Sequence, residues 1–416
     1  MKPLLVSTYD IKGGAARAAY RLHNGLQKIG VVSQMLVQTK VSDRADIVGT
    51  HRAAGLDQAK SSLRITLDHL PLKRYPQRMD STLSVQWLPG QAASKMHQLS
   101  PDVINLHWIN GGFLSIRAIA QLNKPIVWSL HDMWPFTGGC HYDQMCQRFT
   151  DRCGCCPQLG SQTEKDLSRQ IWQQKKKHWK HADITVVALS SWLAQAAKDS
   201  TLFGGRRVEI IPNGLDTSIY YPIRKQTARE LLKLPQDKQL IMFGALNATD
   251  DKRKGFHLLQ SALQGLASAG WKEQMEVVIF GASRPKEPID FGLQSHYLGT
   301  LNDNLSLALA YSAADTFVLP SIQENLANTV MEAIACGTPC VAFDIGGMPD
   351  MIEHHSNGYL AKPYEIDDLA AGIRWVCENL DRNQKLSDRA REKAEQEFTL
   401  EIQARRYKNL FSEVRK

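Results

Sequence analysis

The sequence predicts an α/β protein of two doubly wound, parallel-sheet domains facing each other across a cleft. Three observations lead there. A length of 416 residues exceeds the usual size of one domain. Short apolar runs alternate with amphipathic stretches along the whole chain, the pattern of βα units. The alternation stops at a Pro-Asn-Gly joint and then restarts.

In the first half, "PLLVSTYD", "SQMLVQT", "DVINLHW", "PIVWSLHD" and "DITVVALS" are apolar throughout, as expected of parallel strands covered on both faces. A helix is predicted over 15–29, where Ala15, Ala18, Ala19, Leu22, Leu26 and Ile29 keep helical spacing. The joint falls in "VEIIPNGLDTSIYYPIRK", where Pro212, Asn213 and Gly214 end an apolar run and Pro222 opens a basic stretch. Strands resume with "QLIMFGAL", "MEVVIFG", "HYLGTL", "DTFVLPS" and "PCVAFD", separated by helices near 255–269, 305–314, 328–336 and 366–380. Domains are expected at 1–218 and 219–398. Open parallel sheets bind ligands beyond the carboxyl ends of their strands, so the loops there are where functional residues belong.

A formal charge of +8 suits an anionic ligand, an anionic lipid surface or nucleic acid, and selects none of them. "MKPLLVSTYD" has neither a long apolar core nor a small-residue cleavage site, and no stretch approaches the roughly 18 apolar residues of a spanning helix. A cytoplasmic protein is expected.

The first strand runs directly into "DIKGGAARAAYRLHNGL". Gly13 and Gly14 let a backbone approach a ligand closely, and the amino end of the following helix favours an anion such as phosphate. A purely structural turn fits as well. The six-residue dinucleotide fingerprint is absent, as is the acid expected after the second strand, which argues against a nicotinamide dehydrogenase. Arg17 faces either the ligand or solvent.

"SIQENLANTVMEAIACGTPCVAF" places Glu324 in a strand-to-helix loop and Glu332 in the first turns of a helix beginning near Asn328, a competent N-cap residue. A carboxylate at such a strand end can accept two hydroxyls of a ribose or hexose, while the amides of 325–329 offer donors to a diphosphate. A loop acid and a dipole-complementing surface acid are the plainer alternatives.

Five motifs in order give the pair a context: the glycines at 13 and 14, the histidine ending "VWSLHD", "PNGLD" at 212–216, "KRKG" at 252–255 and "EAIACGTPCVA". Over nearly the whole chain they resemble the family 4 glycosyltransferases, retaining enzymes of GT-B fold with two Rossmann-like domains that move sugars from nucleotide donors. The Cys-bearing insert at 138–160 is similar to that of bacterial enzymes of exopolysaccharide and lipopolysaccharide assembly, the colanic acid type in particular. The resemblance implies an acceptor domain at 1–218, a donor domain at 219–398 and a C-terminal helix, 399–416, that crosses back to the first. It also implies that Glu332 holds the ribose and Glu324 the transferred sugar, with amides around Asn325, Leu326, Ala327 and Asn328 supporting sugar and phosphate. Gly14, beside Gly13, would contact the diphosphate, and His131 would lie beside the sugar ring. Lys254 matches the family lysine; Ala245 stands where the family has an arginine, and Arg253 is the candidate replacement. Fixed cations there would stabilise the charge gathering on a departing nucleoside diphosphate. His107 ends an equivalent strand, with structural and acceptor-contacting roles equally open, and Asp132 either orients His131 or caps the next turn.

No residue announces itself as the carboxylate nucleophile that retention normally invokes. The resemblance implies instead attack on the same face, with the leaving phosphate oxygen deprotonating the acceptor. No acid pair has the placement of a divalent-metal holder: Asp250 and Asp251 sit beside Lys252, and Asp367 and Asp368 start a helix. The donor site is therefore expected to need no divalent metal.

Five of the eight cysteines fall within 138–160, dense for a compartment where thiols stay reduced. Cys140, Cys146, Cys153 and Cys156 have spacing compatible with a tetrahedral structural zinc, with Cys155 spare and His141 an alternative ligand. Reduced packing cysteines, disulfides and an iron–sulfur centre are the other readings.

The function expected is hexose transfer from a UDP- or GDP-sugar to a lipid-linked or oligosaccharide acceptor in cell-surface polysaccharide assembly. The basic stretches "PLKRYPQRM" and Lys175 to Lys177 suggest peripheral contact with the inner membrane face. Two rivals are a zinc-containing nucleic-acid-binding protein using "WQQKKKHWKHADI", and a nucleotide-sugar epimerase of the same fold. A lone insert inside a βα array speaks against nucleic acid as a partner.

Overall fold

Strands apolar on both faces need cover on both faces, and the chain supplies it twice. The computed structural model describes residues 1–52, 55–244, 251–281, 289–301 and 303–415, in two units: 1–214 with 401–416, and 215–400.

The first unit holds a seven-stranded sheet of β1 (Pro3–Tyr9), β2 (Gln34–Lys40), β3 (Ile47–Arg52), β4 (Val103–Leu106), β5 (Ile126–Leu130), β6 (Ile184–Ala188) and β7 (Val208–Ile210), ordered β3-β2-β1-β4-β5-β6-β7. Every pairing is parallel. Successive residues of a strand face opposite sides. Leu4 and Val6 accordingly join a core with Trp128, Trp134 and Phe203, whereas Leu5 joins one with Leu22 and Leu26. Tyr407, Leu410 and Phe411 of the helix Leu400–Val414 pack into that second core, while Ile402 stays half-exposed.

The second unit holds a six-stranded parallel sheet of β8 (Gln239–Gly244), β9 (Met275–Phe280), β10 (Gln294–Gly299), β11 (Thr316–Leu319), β12 (Cys340–Phe343) and β13 (Gly358–Ala361), ordered β10-β9-β8-β11-β12-β13. In both sheets the chain reverses its direction of winding beside the first strand, between β1 and β4 and between β8 and β11. Those reversals are where strand ends leave a crevice.

Three edge strands are not among those expected from the sequence. β3, "IVGTHR", is half polar; β7 is three residues long and largely accessible; β13, "GYLA", is short and begins at a glycine. Edge strands covered on fewer sides carry a weaker apolar signal. Among the described residues no helix is long and apolar enough to cross a membrane.

Candidate active site

In the second unit β11 ends at Leu319, and the chain passes through Ser321 to Glu324 before the helix Asn328–Ala335. Ala327 is the N-cap and Asn328 the first helical residue, so no side chain caps this helix.

Glu324 is 7% exposed and ion-paired. Lys254 Nζ lies 2.6 Å from Glu324 Oε2 and Arg253 Nη1 lies 3.3 Å from the same oxygen. Burial alone would raise the carboxyl pKa, but the two cations and their hydrogen bonds hold it at about 2. The side chain is thus an anion at any ordinary pH. Arg253 also donates to the Gln323 carbonyl at 2.8 Å, and its own carbonyl accepts from Ile322 N at 2.8 Å. The "KRKG" turn is thereby fastened along the loop that carries Glu324.

Gly255 shows why that turn ends in glycine. Its φ is +69°, and a Cβ there would stand 1.8 Å from the Pro320 carbonyl. Only a residue without a side chain lets Lys254 come so close to the end of β11. Gly346 plays the same part from β12: at φ +54° its missing Cβ would meet the Glu324 carbonyl at 1.9 Å.

Glu332 is 3% exposed and accepts from the Tyr311 hydroxyl at 3.1 Å. Tyr311 is itself held edge-on by Phe280 and Phe317, with ring centroids 5.6 and 5.5 Å away. Nothing in the spacing of Tyr311 singles it out, because it sits on a helix whose residues read as ordinary core. The structure thus gathers Arg253, Lys254 and Glu324 into one ionic group, while Glu332 has its own partner. Asn325, Leu326 and Ala327 are buried between them in sequence, and Asn328 is half-exposed. Ala245 and Asp250 lie outside the described residues. Asp368 accepts from Tyr359 Oη at 2.8 Å and from Lys362 N at 2.7 Å, a structural engagement.

In the first unit β1 is followed by Asp10, which is fully buried and accepts from Ile11 N, Val41 N and Ser42 N at 2.8–3.1 Å. This acid shapes the turn in which Gly13 takes φ +91° and precedes the helix Gly14–Lys28; Gly14 is exposed. Arg17 is half-buried.

His131 follows β5 and its Nε2 lies 2.9 Å from His107 Nδ1. Burial holds its pKa down at about 4 against the opposing pull of Asp132, so the ring is neutral at pH 7. His107 is likewise pushed well below its ordinary value, first by burial and then by His131. Asp132 accepts from Trp134 N at 2.9 Å, Trp108 Nε1 at 3.0 Å and His141 Nδ1 at 2.6 Å. His141 in turn reaches Ser84 Oγ at 2.8 Å. His141 is thus engaged by hydrogen bonds that tie the Cys-bearing insert to the end of β5.

Among the described residues no group of three or more His, Cys, Asp or Glu could hold a metal ion. Cys140 and Cys156 are buried and Cys146 and Cys153 half-buried. Burial raises the pKa of all four, that of Cys153 to about 12. All eight cysteines of the chain are free of disulfides.

One lysine of the basic stretch is not on the surface. Lys175 is fully buried, donating to the Trp134 and Thr137 carbonyls and lying 3.7 Å from the Trp134 ring centroid. Burial takes its pKa down to about 7. It cannot touch a lipid or nucleic-acid surface, because helical spacing turns it inward with Ile171 and Trp179 while Lys176 and Lys177 face solvent.

Residues 12–219 match the family described as Glycosyltransferase Family 4, and residues 224–393 match Glycosyl transferases group 1. The sulfoquinovosyl transferase of Arabidopsis thaliana is 25% identical over 323 residues, which cover 74% of this chain and 56% of that enzyme. The chain spans about half the length of the curated relatives it matches. Among solved structures, sucrose-phosphate synthase from Thermosynechococcus elongatus superposes with a TM-score of 0.71 at 18% identity, covering 99% of this chain and 98% of that one. Anabaena HepE, solved in complex with UDP and glucose, gives 0.63 at 18% identity and covers 99% of both chains. At such identities these two likenesses speak for the fold alone.

Proposed function

The chain belongs to glycosyltransferase family 4, and from that premise we propose that it transfers a hexose, with retention, from a UDP- or GDP-sugar to a lipid-linked or oligosaccharide acceptor in cell-surface polysaccharide assembly. The observation that carries this reading is the ionic group at the end of β11. Glu324 is kept ionised by Lys254 and Arg253 in the loop leading to an uncapped helix amino end. A carboxylate so held accepts sugar hydroxyls, and the cations beside it suit a diphosphate.

In the proposed reaction the acceptor oxygen bonds to the anomeric carbon as that carbon's bond to the diphosphate oxygen breaks. The acceptor proton passes to the departing phosphate oxygen, and Lys254 with Arg253 offsets the charge gathering there. Glu332 takes the ribose and Glu324 the hexose hydroxyls. Because protein cations stand at this position, donor chemistry is proposed to proceed without a divalent metal. The UDP found in the Anabaena protein is consistent with a uridine donor. Exposed Lys73, Arg74 and Arg78 beside exposed Met79 suit an anionic membrane surface.

Incubation with UDP- and GDP-hexoses and an extract of lipid-linked oligosaccharides as acceptor should release nucleoside diphosphate from one of them, at an equal rate with EDTA or magnesium. Release of none would remove the transferase reading, and dependence on magnesium would remove its metal-free form. Failure to sediment with anionic vesicles at low salt would remove the membrane contact alone.

A further inference from the structure

Side chains from three places hold one loop of the first unit by its backbone. Residues 108–114 follow β4 where the sheet reverses its winding beside β1. Gly111 and Gly112 take φ of +69° and +73°, and Gln86, bonded to Gly112, takes +55° although it is not a glycine. Such conformations persist where neighbours impose them. Thr8 Oγ1 donates to the Trp108 carbonyl at 3.1 Å and to the Asn110 carbonyl at 2.8 Å. Gln86 Nε2 donates to the Ile109 and Leu114 carbonyls at 2.6 and 2.8 Å, and its Oε1 accepts from Gly112 N at 2.8 Å. Arg64, on the helix Gly55–Asp68, donates twice to the Gly112 carbonyl; Asp68 of the same helix accepts from the amides of Val85, Gln86 and Trp87.

The side chain of Asn110 is treated differently. The residue is 2% exposed, and its amide nitrogen is buried with no partner among the described residues. Gln38 of β2 is 1% exposed, and neither atom of its amide has a partner there. The two residues flank Thr8. Ser7 pairs with Val37 and Tyr9 with Thr39, so Thr8 stands beside Gln38 with both side chains on one face of the sheet. Ile65 closes toward the same place: a Cβ on Gly111 would lie 3.4 Å from its side chain and 3.9 Å from the Thr8 methyl group.

Unpaired buried amides destabilise a fold, so two of them beside a pre-organised loop at a sheet's crevice point to a partner that arrives from outside. Its chemistry follows from theirs. Asn110 Nδ2 and Gln38 Nε2 only donate, and Gln38 Oε1 only accepts. An anionic oxygen would be repelled by that Oε1, and a cation would meet two NH2 groups. A hydroxyl donates and accepts, and suits all three. The charged side chains packed against the loop are already engaged, Arg64 by the Gly112 and Pro89 carbonyls and Asp68 by three amides, so neither is left to select an ion. We propose that Asn110 and Gln38 form a subsite for a neutral sugar ring of the acceptor, whose hydroxyls take up these amides. This rests on the transferase reading for the ligand's role as acceptor, though not for its chemical class.

The test uses the full chain with 15N in its asparagine and glutamine side chains. The amide signals of Asn110 and Gln38 are assigned by their loss in Asn110→Ala and Gln38→Leu. Among methyl glycosides of glucose, galactose and mannose at millimolar concentration, at least one should shift both signals, whereas glucuronate and inorganic phosphate should shift neither. With an extract of lipid-linked oligosaccharides as acceptor, Asn110→Ala should raise the acceptor KM at least about tenfold and leave nucleotide Kd within about twofold. Its melting midpoint should not fall, because the amide removed has no partner to lose. Signals unmoved by every glycoside, or moved by glucuronate or phosphate instead, would overturn the proposal. So would an unchanged KM in Asn110→Ala, the mark of an amide served by water alone. Should Gln38→Leu not fold, the Asn110 signal decides alone. The glycoside shifts do not depend on turnover, so a failure of the transferase reading would appear separately, as absence of nucleotide binding with the shifts intact.

Discussion

Lys254→Ala should lower kcat by about 10²–10³-fold, the usual consequence of removing one fixed stabiliser of developing negative charge. Two features of the ionic group make the experiment clean. Arg253 stays within 3.3 Å of Glu324 Oε2, so the buried carboxylate is not stranded. Lys254 is largely shielded rather than deeply packed, with its side chain 18% exposed. Lys254→Arg should recover only part of the rate, because a planar fork cannot occupy the position of a point charge without moving Glu324 or Arg253. The pH dependence has a definite sign. Glu324 has a folded pKa near 2, below its ordinary value of 4.5, so its ion pairs contribute stability above about pH 4.5 and lose it as pH falls toward 2. An acid limb of kcat at pH 5 or above therefore belongs to another group. Initial-rate measurements on the two variants, across pH, check all three statements; a kcat within threefold of wild type in Lys254→Ala would take the residue out of the chemistry.

Glu332→Gln should remove at least about half of the stabilisation that a nucleotide gives the protein. A ligand at a hundredfold its Kd adds about 2.7 kcal/mol, so a tenfold or greater loss of affinity removes about half of that or more. The substitution keeps volume and leaves an oxygen for the Tyr311 hydroxyl, so the unliganded midpoint should move little. It replaces one of the two acceptors that a ribose diol would need with a donor. Thermal melts of both proteins with and without nucleotide separate the outcomes. Equal shifts in both would place the ribose elsewhere, and a lower unliganded midpoint alone would make Glu332 a structural acid.

The fold was legible because parallel strands buried on both faces write themselves as unbroken apolar runs. β3, β7 and β13 escaped since an edge strand needs less apolar surface and can be three or four residues long. At the site, the proximity of Lys254 to Glu324 was readable only through the family pattern. Seventy residues separate them, and what joins them is a glycine whose fit against Pro320 no spacing rule contains. Asn328 looked like a cap by composition, yet the loop bends one residue earlier and Ala327 takes the position. Lys175 to Lys177 read as one basic patch, but helical geometry separates neighbours by about a hundred degrees and puts Lys175 under Trp134. Asn105 and Ser129 were visible in the sequence as a lone Asn and a lone Ser in apolar strands. Tyr407, the partner of Ser129, lies 278 residues from it, beyond any local pattern.

The second unit, through Glu332, Glu324, Lys254 and Arg253, is proposed to hold one nucleoside diphosphate. Calorimetric titration of the wild-type chain with UDP, GDP, ADP and TDP, without divalent metal, tests it most directly. Saturable binding of one of them at one per chain, several-fold tighter than the others, is the predicted result. No measurable heat or stabilisation from any of the four, with and without magnesium, would contradict it.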